Sequence, residues 1–161
     1  MKISEAINQL KVLAKLVENE DEPWLEEPKF TDAPITSQLN EFEKVSGFQI
    51  KGELLEFFTL NDSIIAMSIH NGYWIGGINQ LKNIYTSGNV TRKIKQETCI
   101  PLATDGSGNT FIFTEAESVW KVDHETLKET LISNSLSEFF ERVIEDWKAF
   151  VEQKENWTYL V

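Results

Sequence analysis

Few side chains in this chain are suited to chemistry: two histidines, His70 and His124, a single cysteine, Cys99, and a large number of carboxylates. His124 stands in Asp123-His124-Glu125, at the end of a short strand-like stretch. These three residues could offer metal ligands. Neighbours on a strand point to opposite faces, however, so they converge poorly on one ion. No His-x-x-x-His or Cys-x-x-Cys spacing supports a site, and the expectation is a polar strand exit. His70 flanks Asn71-Gly72 and reads as an exposed turn residue. Cys99 precedes Ile100 and Pro101 in an apolar stretch, where a buried small hydrophobe is expected. A Cys–His nucleophile pair has no local signature here.

The stretch Asp105-Gly106-Ser107-Gly108-Asn109 invites two comparisons. A calcium loop places oxygen ligands at its first, third and fifth positions, which Asp105, Ser107 and Asn109 satisfy. It then needs glycine at the sixth position and glutamate at the twelfth, where Thr110 and Ala116 stand. A phosphate loop needs more glycine, a lysine and a following helix, and here a strand follows. A tight hairpin, with two glycines supplying positive φ angles, is expected. No carboxylate stands isolated in an apolar run where its pKa would be pushed up. Trp74, Trp120 and Trp147 are expected to pack rather than to stack on a ligand. No catalytic, metal-binding or cofactor-binding residue is assigned, and an enzyme is not expected.

The elements that would position these residues begin with an amphipathic helix. Ile3, Ala6, Ile7, Leu10, Leu13, Ala14 and Val17 recur at helical spacing, with Lys2, Glu5, Asn8, Lys11, Lys15 and Glu18 opposite. A second helix is expected from Thr36 or Ser37, either of which could cap it, to Gly47. Leu39, Phe42 and Val45 would form its inner stripe. A short, nearly buried helix over Glu53 to Leu60 follows. Ile64–Ile69 and Tyr73–Ile75 read as strands joined at Asn71-Gly72, a strong hairpin signal. The stretch 78–85 is compatible with a short helix or an irregular strand. Ile100–Ala103, Thr110–Thr114 and Ser118–Val122 read as a meander. Ser135 and Glu138 have capping-box spacing ahead of a wide apolar stripe from Leu136 to Val151. The apolar tail Trp157–Val161 is expected to dock on the core. The order of helices, strands and helix describes an α+β domain with an antiparallel sheet flanked by N- and C-terminal helices.

At 161 residues the chain fits one domain, 1–161, able to bury a core without staples. Fifteen basic and 26 acidic residues give a net charge of -11. That balance opposes nucleic acid and anionic membrane as partners and favours a basic protein. One cysteine rules out an internal disulfide and suits a reducing compartment. Charges at Lys2, Glu5, Lys11 and Lys15 interrupt any signal-peptide run, and no stretch reaches the ~18 apolar residues of a membrane span. A cytoplasmic location is expected. The stretch from Glu18 to Pro34 carries Glu20, Asp21, Glu22, Glu26 and Glu27 among three prolines and reads as an extended acidic arm. Trp24 is expected to pin the arm to the chain's own core. The surfaces best placed to meet a partner are this arm, Glu20 to Glu27 with Trp24, and the acidic face of the last helix, Glu141, Glu145 and Asp146. Monomer and dimer are both compatible with the sequence.

Four stretches carry a family resemblance. Ile35 to Glu43, Gly47 and Leu54-Leu55-Glu56-Phe57-Phe58 resemble the start of SUKH domains, where a glutamate-bearing helix, a glycine and a short apolar helix come in this order. Glu41 or Glu43, Gly47, Leu55 and Phe58 fit that pattern. Ile100-Pro101-Leu102-Ala103, the Asp105–Asn109 turn and Phe111-Ile112-Phe113 are similar to the family's strand, glycine turn and returning strand. Val119 to Glu125 is similar to its strand ending in an acidic-His-acidic cluster, and Ser137-Glu138-Phe139-Phe140 to its closing helix. The family often has a leucine–proline pair after the glycine, where Ile50-Lys51-Gly52 stands here. The resemblance spans roughly 35–150. It implies a SUKH-like fold, related to the fungal Smi/Knr cell-wall regulators. It also implies a cytoplasmic bacterial immunity protein that binds and neutralises a cognate polymorphic toxin, often a nuclease, without catalysis or cofactor. The alternatives are a regulatory protein–protein interaction module like the fungal relatives, or a small hydrolase using a carboxylate pair.

Overall fold

The computed structural model describes residues 1–17 and 24–161. Helix α1 (Ile3–Val17) leads to a two-residue strand, β1 (Lys29–Phe30), and then to α2 (Thr36–Ser46) and α3 (Gly52–Leu60). Strands β2 (Ser63–Ala66) and β3 (Tyr73–Gly76) precede α4 (Ile78–Thr86). Strands β4 (Lys93–Ile94), β5 (Glu97–Asp105), β6 (Thr110–Thr114), β7 (Val119–Val122) and β8 (Glu129–Ser133) then run up to α5 (Leu136–Val151). The strands form one antiparallel sheet in the order β1-β2-β3-β5-β6-β7-β8, with β4 folded back on the start of β5. The fold is α+β with helices near both termini.

The sheet register explains the core. Ile64, Ile75, Ala103 and Phe111 stand opposite one another across four strands. They share one buried cluster with the inner residues of all five described helices, from Ile3 and Leu10 to Phe139 and Trp147. The adjacent residues Ile65, Trp74, Thr104, Thr110 and Val122 form the next row across the strands, on the opposite face as the strand period of two requires. That face has only a small second cluster of Ile94, Cys99, Ile112 and Val122, with no helical residue in it. Tryptophans 74 and 120 are partly buried and Trp147 fully so.

Local chemistry sets the boundaries. Gly47 ends α2 in the left-handed region (φ 68°), and its N–H donates to the Glu43 carbonyl at 2.8 Å. The start of α2 differs from expectation: Ile35 is the cap residue, and its N–H donates to Gln38 Oε1 at 2.9 Å. The glutamine side chain satisfies the cap residue's own N–H, and the first-turn N–H of Gln38 goes to the Ile35 carbonyl (3.0 Å) rather than to a Thr36 or Ser37 hydroxyl. At α5, Ser135 Oγ accepts from the Glu138 N–H (3.1 Å), while Glu138 Oε2 accepts from Asn134 (2.9 Å). The reciprocal bond of the capping box thus falls one residue early.

Other expectations change. Asn71-Gly72 is not a two-residue turn but closes a six-residue connection, 67–72. The stretch 78–86 is helical. Lys29 and Phe30, expected within an irregular arm, pair with Ile65 and Ile64 as an edge strand. In α2, Val45 is exposed and Ser46 is buried in its place. Leu55 and Leu60 leave α3 less buried than its composition promises. The tail does dock: Leu160 and Val161 are buried against the main core.

Candidate functional site

The turn after β5 and the exit of β7, fifteen residues apart, meet through one polar network. Asp105, its side chain wholly buried, accepts from the backbone N–H of Ser107 (3.0 Å) and Asn109 (2.9 Å), and from Asn109 Nδ2 (2.8 Å). Lys121 Nζ lies 3.6 Å from Oδ2, the oxygen that also takes Asn109 Nδ2. The Asn109 amide is therefore oriented with Oδ1 outward, where it accepts the His124 N–H at 3.0 Å. His124 Nδ1 is 3.1 Å from the same oxygen and so carries the ring proton. Only Nε2 is left over, 3.7 Å from Glu125 Oε1.

This arrangement is a staple rather than a catalytic or cation site. The Asp105 oxygens are consumed by the turn's own donors, so the calcium-like spacing serves hairpin closure. Gly108 takes the expected positive φ of 90°. Gly106 does not, and its role differs from the expected one: a Cβ there would lie 1.9 Å from the Asn71 carbonyl oxygen. A backbone-to-backbone approach fixes that glycine. No group of three or more His, Cys, Asp or Glu capable of holding a metal occurs among the described residues. Cys99 is buried, its Sγ donating to the Thr91 carbonyl at 3.4 Å. Burial, and then the carboxylates of Glu129 and Glu97, push its thiol up to about 12. It stays protonated at neutral pH and cannot serve as a thiolate nucleophile there.

The residues expected to meet a partner are placed unevenly. Glu20, Asp21 and Glu22 lie outside the described residues. Trp24 is 70% exposed, against the expectation that it packs on the core. Glu26 and Glu27 are exposed; the Glu26 carboxylate pairs loosely with Lys29 (3.4 Å), and its backbone N–H donates to Ser68 Oγ (2.8 Å). Glu145 is exposed, and Glu141 sits 3.1 Å from the Met1 ammonium, whose pKa it raises.

Asp146 is the correction. It is 2% exposed and does not belong to the acidic outer face of α5. Its Oδ2 accepts from the Tyr73 hydroxyl and the Leu160 N–H (2.8 Å), and its Oδ1 from Trp157 Nε1 (2.8 Å). One buried carboxylate thus ties α5, β3 and the tail together, while Lys121 Nζ donates to the Leu160 carbonyl (2.5 Å). Burial and the adjacent Asp146 charge push the Tyr73 phenol far above its usual range. The signal was present in the sequence: Asp146 falls at helical spacing with Phe139, Val143 and Phe150, inside an apolar stripe.

The family model for the SMI1 / KNR4 family (SUKH-1) matches residues 35–142. The chain belongs to this family. The match runs from the cap of α2 into α5 and contains all four stretches that carry the resemblance. Helix α1, strand β1 and the tail lie outside it. No curated protein matches the chain. The SUKH-1 segment therefore includes the Asp105–Asn109–His124 staple in full, whereas Asp146, Trp157 and Leu160, which join Tyr73 in the buried latch, lie beyond its end. No described helix is long and apolar enough to cross a membrane.

Proposed function

We propose that this SUKH-1 chain is a non-catalytic immunity protein that binds a cognate toxin domain and blocks it. Family membership is the observation that carries this reading. Its physical chemistry agrees. A net charge of -11 favours a basic partner, and toxin nucleases are often basic to grip phosphates. The buried, protonated thiol and the self-satisfied Asp105 staple supply neither nucleophile nor metal cage. Its place of action is the cytoplasm, where the incoming toxin meets its substrate.

In this proposal the acidic stretch Glu20 to Glu27, with exposed Trp24, and Glu141 and Glu145 on α5 draw the toxin in. Exposed charge of this kind raises the association rate more than the final affinity. Asp146 is no part of that surface, since its oxygens face inward. The test is co-expression with the toxin domain encoded beside this chain, scored by survival, followed by calorimetry at two salt concentrations. Protection with salt-sensitive binding supports the reading. Unabated killing without binding moves it to a regulatory interaction module like the fungal relatives.

A further inference from the structure

The α2–α3 segment leaves an unusual surface. Its inner residues Phe42, Leu54, Phe57 and Phe58 are buried, yet Ile35, Leu55 and Leu60 remain 66%, 41% and 39% exposed. Between the two helices lies a groove of about 460 Å³, with Leu39, Ile50, Leu55 and Phe58 among its walls. Thr36, Asn40 and Thr59 add polar groups to its lining. The wall also holds Glu43, half-buried, whose Oε1 accepts the Ile50 N–H at 2.6 Å. That bond fixes the carboxylate over the groove through Oε1 and leaves Oε2 without a partner among the described residues. Residues 31–60 carry five carboxylates (Asp32, Glu41, Glu43, Glu53, Glu56) against Lys44 and Lys51, and Lys82 of α4 pairs with Glu41 at 3.0 Å, so the balance of these eight groups stays negative. The outward sheet face is less suited: Lys95 covers the Trp120 ring at 4.8 Å, and Lys29 and Glu129 give it mixed sign.

We infer that this groove is the anchoring site for a basic protein partner, taking an apolar side chain between α2 and α3 and an adjacent lysine or arginine on Glu43. The inference rests on the immunity reading and deepens it. The outer carboxylates steer the partner, and a pre-formed pocket with apolar walls, a polar margin and one fixed charge holds it. A bound apolar anchor surrounded by water-excluding contacts is where interface energy concentrates. A held carboxylate meets a cation without first losing side-chain freedom. Glu43 is thereby a specificity residue: it rewards a cation beside the apolar anchor and repels an acidic one.

Two measurements on the full chain test this. The first is an NMR titration with the peptide Ac-Arg-Leu-Leu-Arg-amide, beside its acidic counterpart Ac-Glu-Leu-Leu-Glu-amide. Saturable shifts of the Leu39, Ile50 and Leu55 methyls with the basic peptide alone are expected. Leu55→Asp should abolish them. Glu43→Gln, which keeps an oxygen for the Ile50 N–H, should weaken them at least ~3-fold, in line with loss of one fixed charge. Equal shifts with both peptides, no shifts, or shifts confined to another surface overturn the inference. The second measures the adjacent toxin domain against wild type, Leu55→Asp and the milder Leu55→Ser. A loss of at least ~10-fold in affinity is expected for Leu55→Asp, as for other pocket anchors. If the toxin binds wild type and both variants alike, the groove is wrong and the immunity reading stands. If wild type itself does not bind, the immunity reading falls, and the peptide titration still decides the groove.

Discussion

Removing the Asp146 carboxylate gives the sharpest test of what holds the C-terminal half together. Asp146→Ala deletes the common acceptor of the Tyr73 hydroxyl, Trp157 Nε1 and the Leu160 N–H. Trp157 is partly exposed, and its N–H can turn to water. Tyr73 and Leu160 are buried, at 0% and 6% exposure, so two donors are left unpaired. Each orphaned buried donor costs about 1–3 kcal/mol. Two such donors cost about 2–6 kcal/mol, and relief of the carboxylate's own desolvation offsets part of that sum, leaving a net loss of about 2–4 kcal/mol. For a chain of this size that corresponds to a fall of roughly 5–12 °C in Tm. Asp146→Asn should lose less, because the amide oxygen can replace Oδ2 while its NH2 faces only the movable Trp157 ring. Urea unfolding followed by circular dichroism measures both, with hydrogen exchange at Leu160 reporting whether the tail detaches first. If Asp146→Ala unfolds within about 1 kcal/mol of wild type, desolvation cancels the hydrogen bonds and the latch account is wrong.

Three further outcomes follow from the same geometry. The Tyr73 phenol is raised in the folded chain, by burial first and then by Asp146, so its stabilising effect is complete below pH 10 and is lost as the pH rises above that value; Tyr73→Phe should flatten the alkaline limb of a stability–pH profile, and an unchanged limb contradicts the assignment. Cys99, with its thiol at about 12, should react with iodoacetamide at pH 8 only as fast as the sheet opens, and quickly in denaturant; rapid native labelling would show that β5 is not closed over it. Gly106→Ala drives a Cβ to 1.9 Å from the Asn71 carbonyl and should destabilise by about 1–3 kcal/mol in thermal melts, whereas a neutral result would mean that the two turns separate readily.

Much of the architecture was readable because its elements carry strong local signals. Helix α5 announces itself through Ser135 and a continuous apolar stripe, and the β5–β6 hairpin through its Gly-Ser-Gly turn. Strand β8 did not, because on this edge strand Glu129, Thr130 and Leu131 are all exposed and burial begins only at Ile132 and Ser133. The β4–β5 turn was equally silent: Lys95 and Gln96 occupy the left-handed region that usually calls for Asn-Gly. Conversely, Asn71-Gly72 signalled a tight turn but closes a longer loop, whose Asn71 carbonyl lies close against Gly106. The staple shows the general limit. Asp105, Asn109 and His124 each looked like weak ligand candidates, and only the pairing of β5, β6 and β7 makes them partners of one another. The same holds for Asp146, whose donors come from β3 and the tail. Of the α2–α3 groove, the sequence displayed its apolar residues and Glu43, but not that Leu55 and Ile35 would remain in solvent.

The central claim is that this SUKH-1 chain works by binding, and the most direct test is protection by the chain against the toxin domain proposed as its partner. Cells expressing that domain should survive when the chain is co-expressed. Purified chain and toxin should form a complex whose affinity falls as salt is raised from about 0.05 to 0.5 M, the response expected of charge-steered association. Death of the co-expressing cells, with no heat of binding at either salt concentration, would contradict the account.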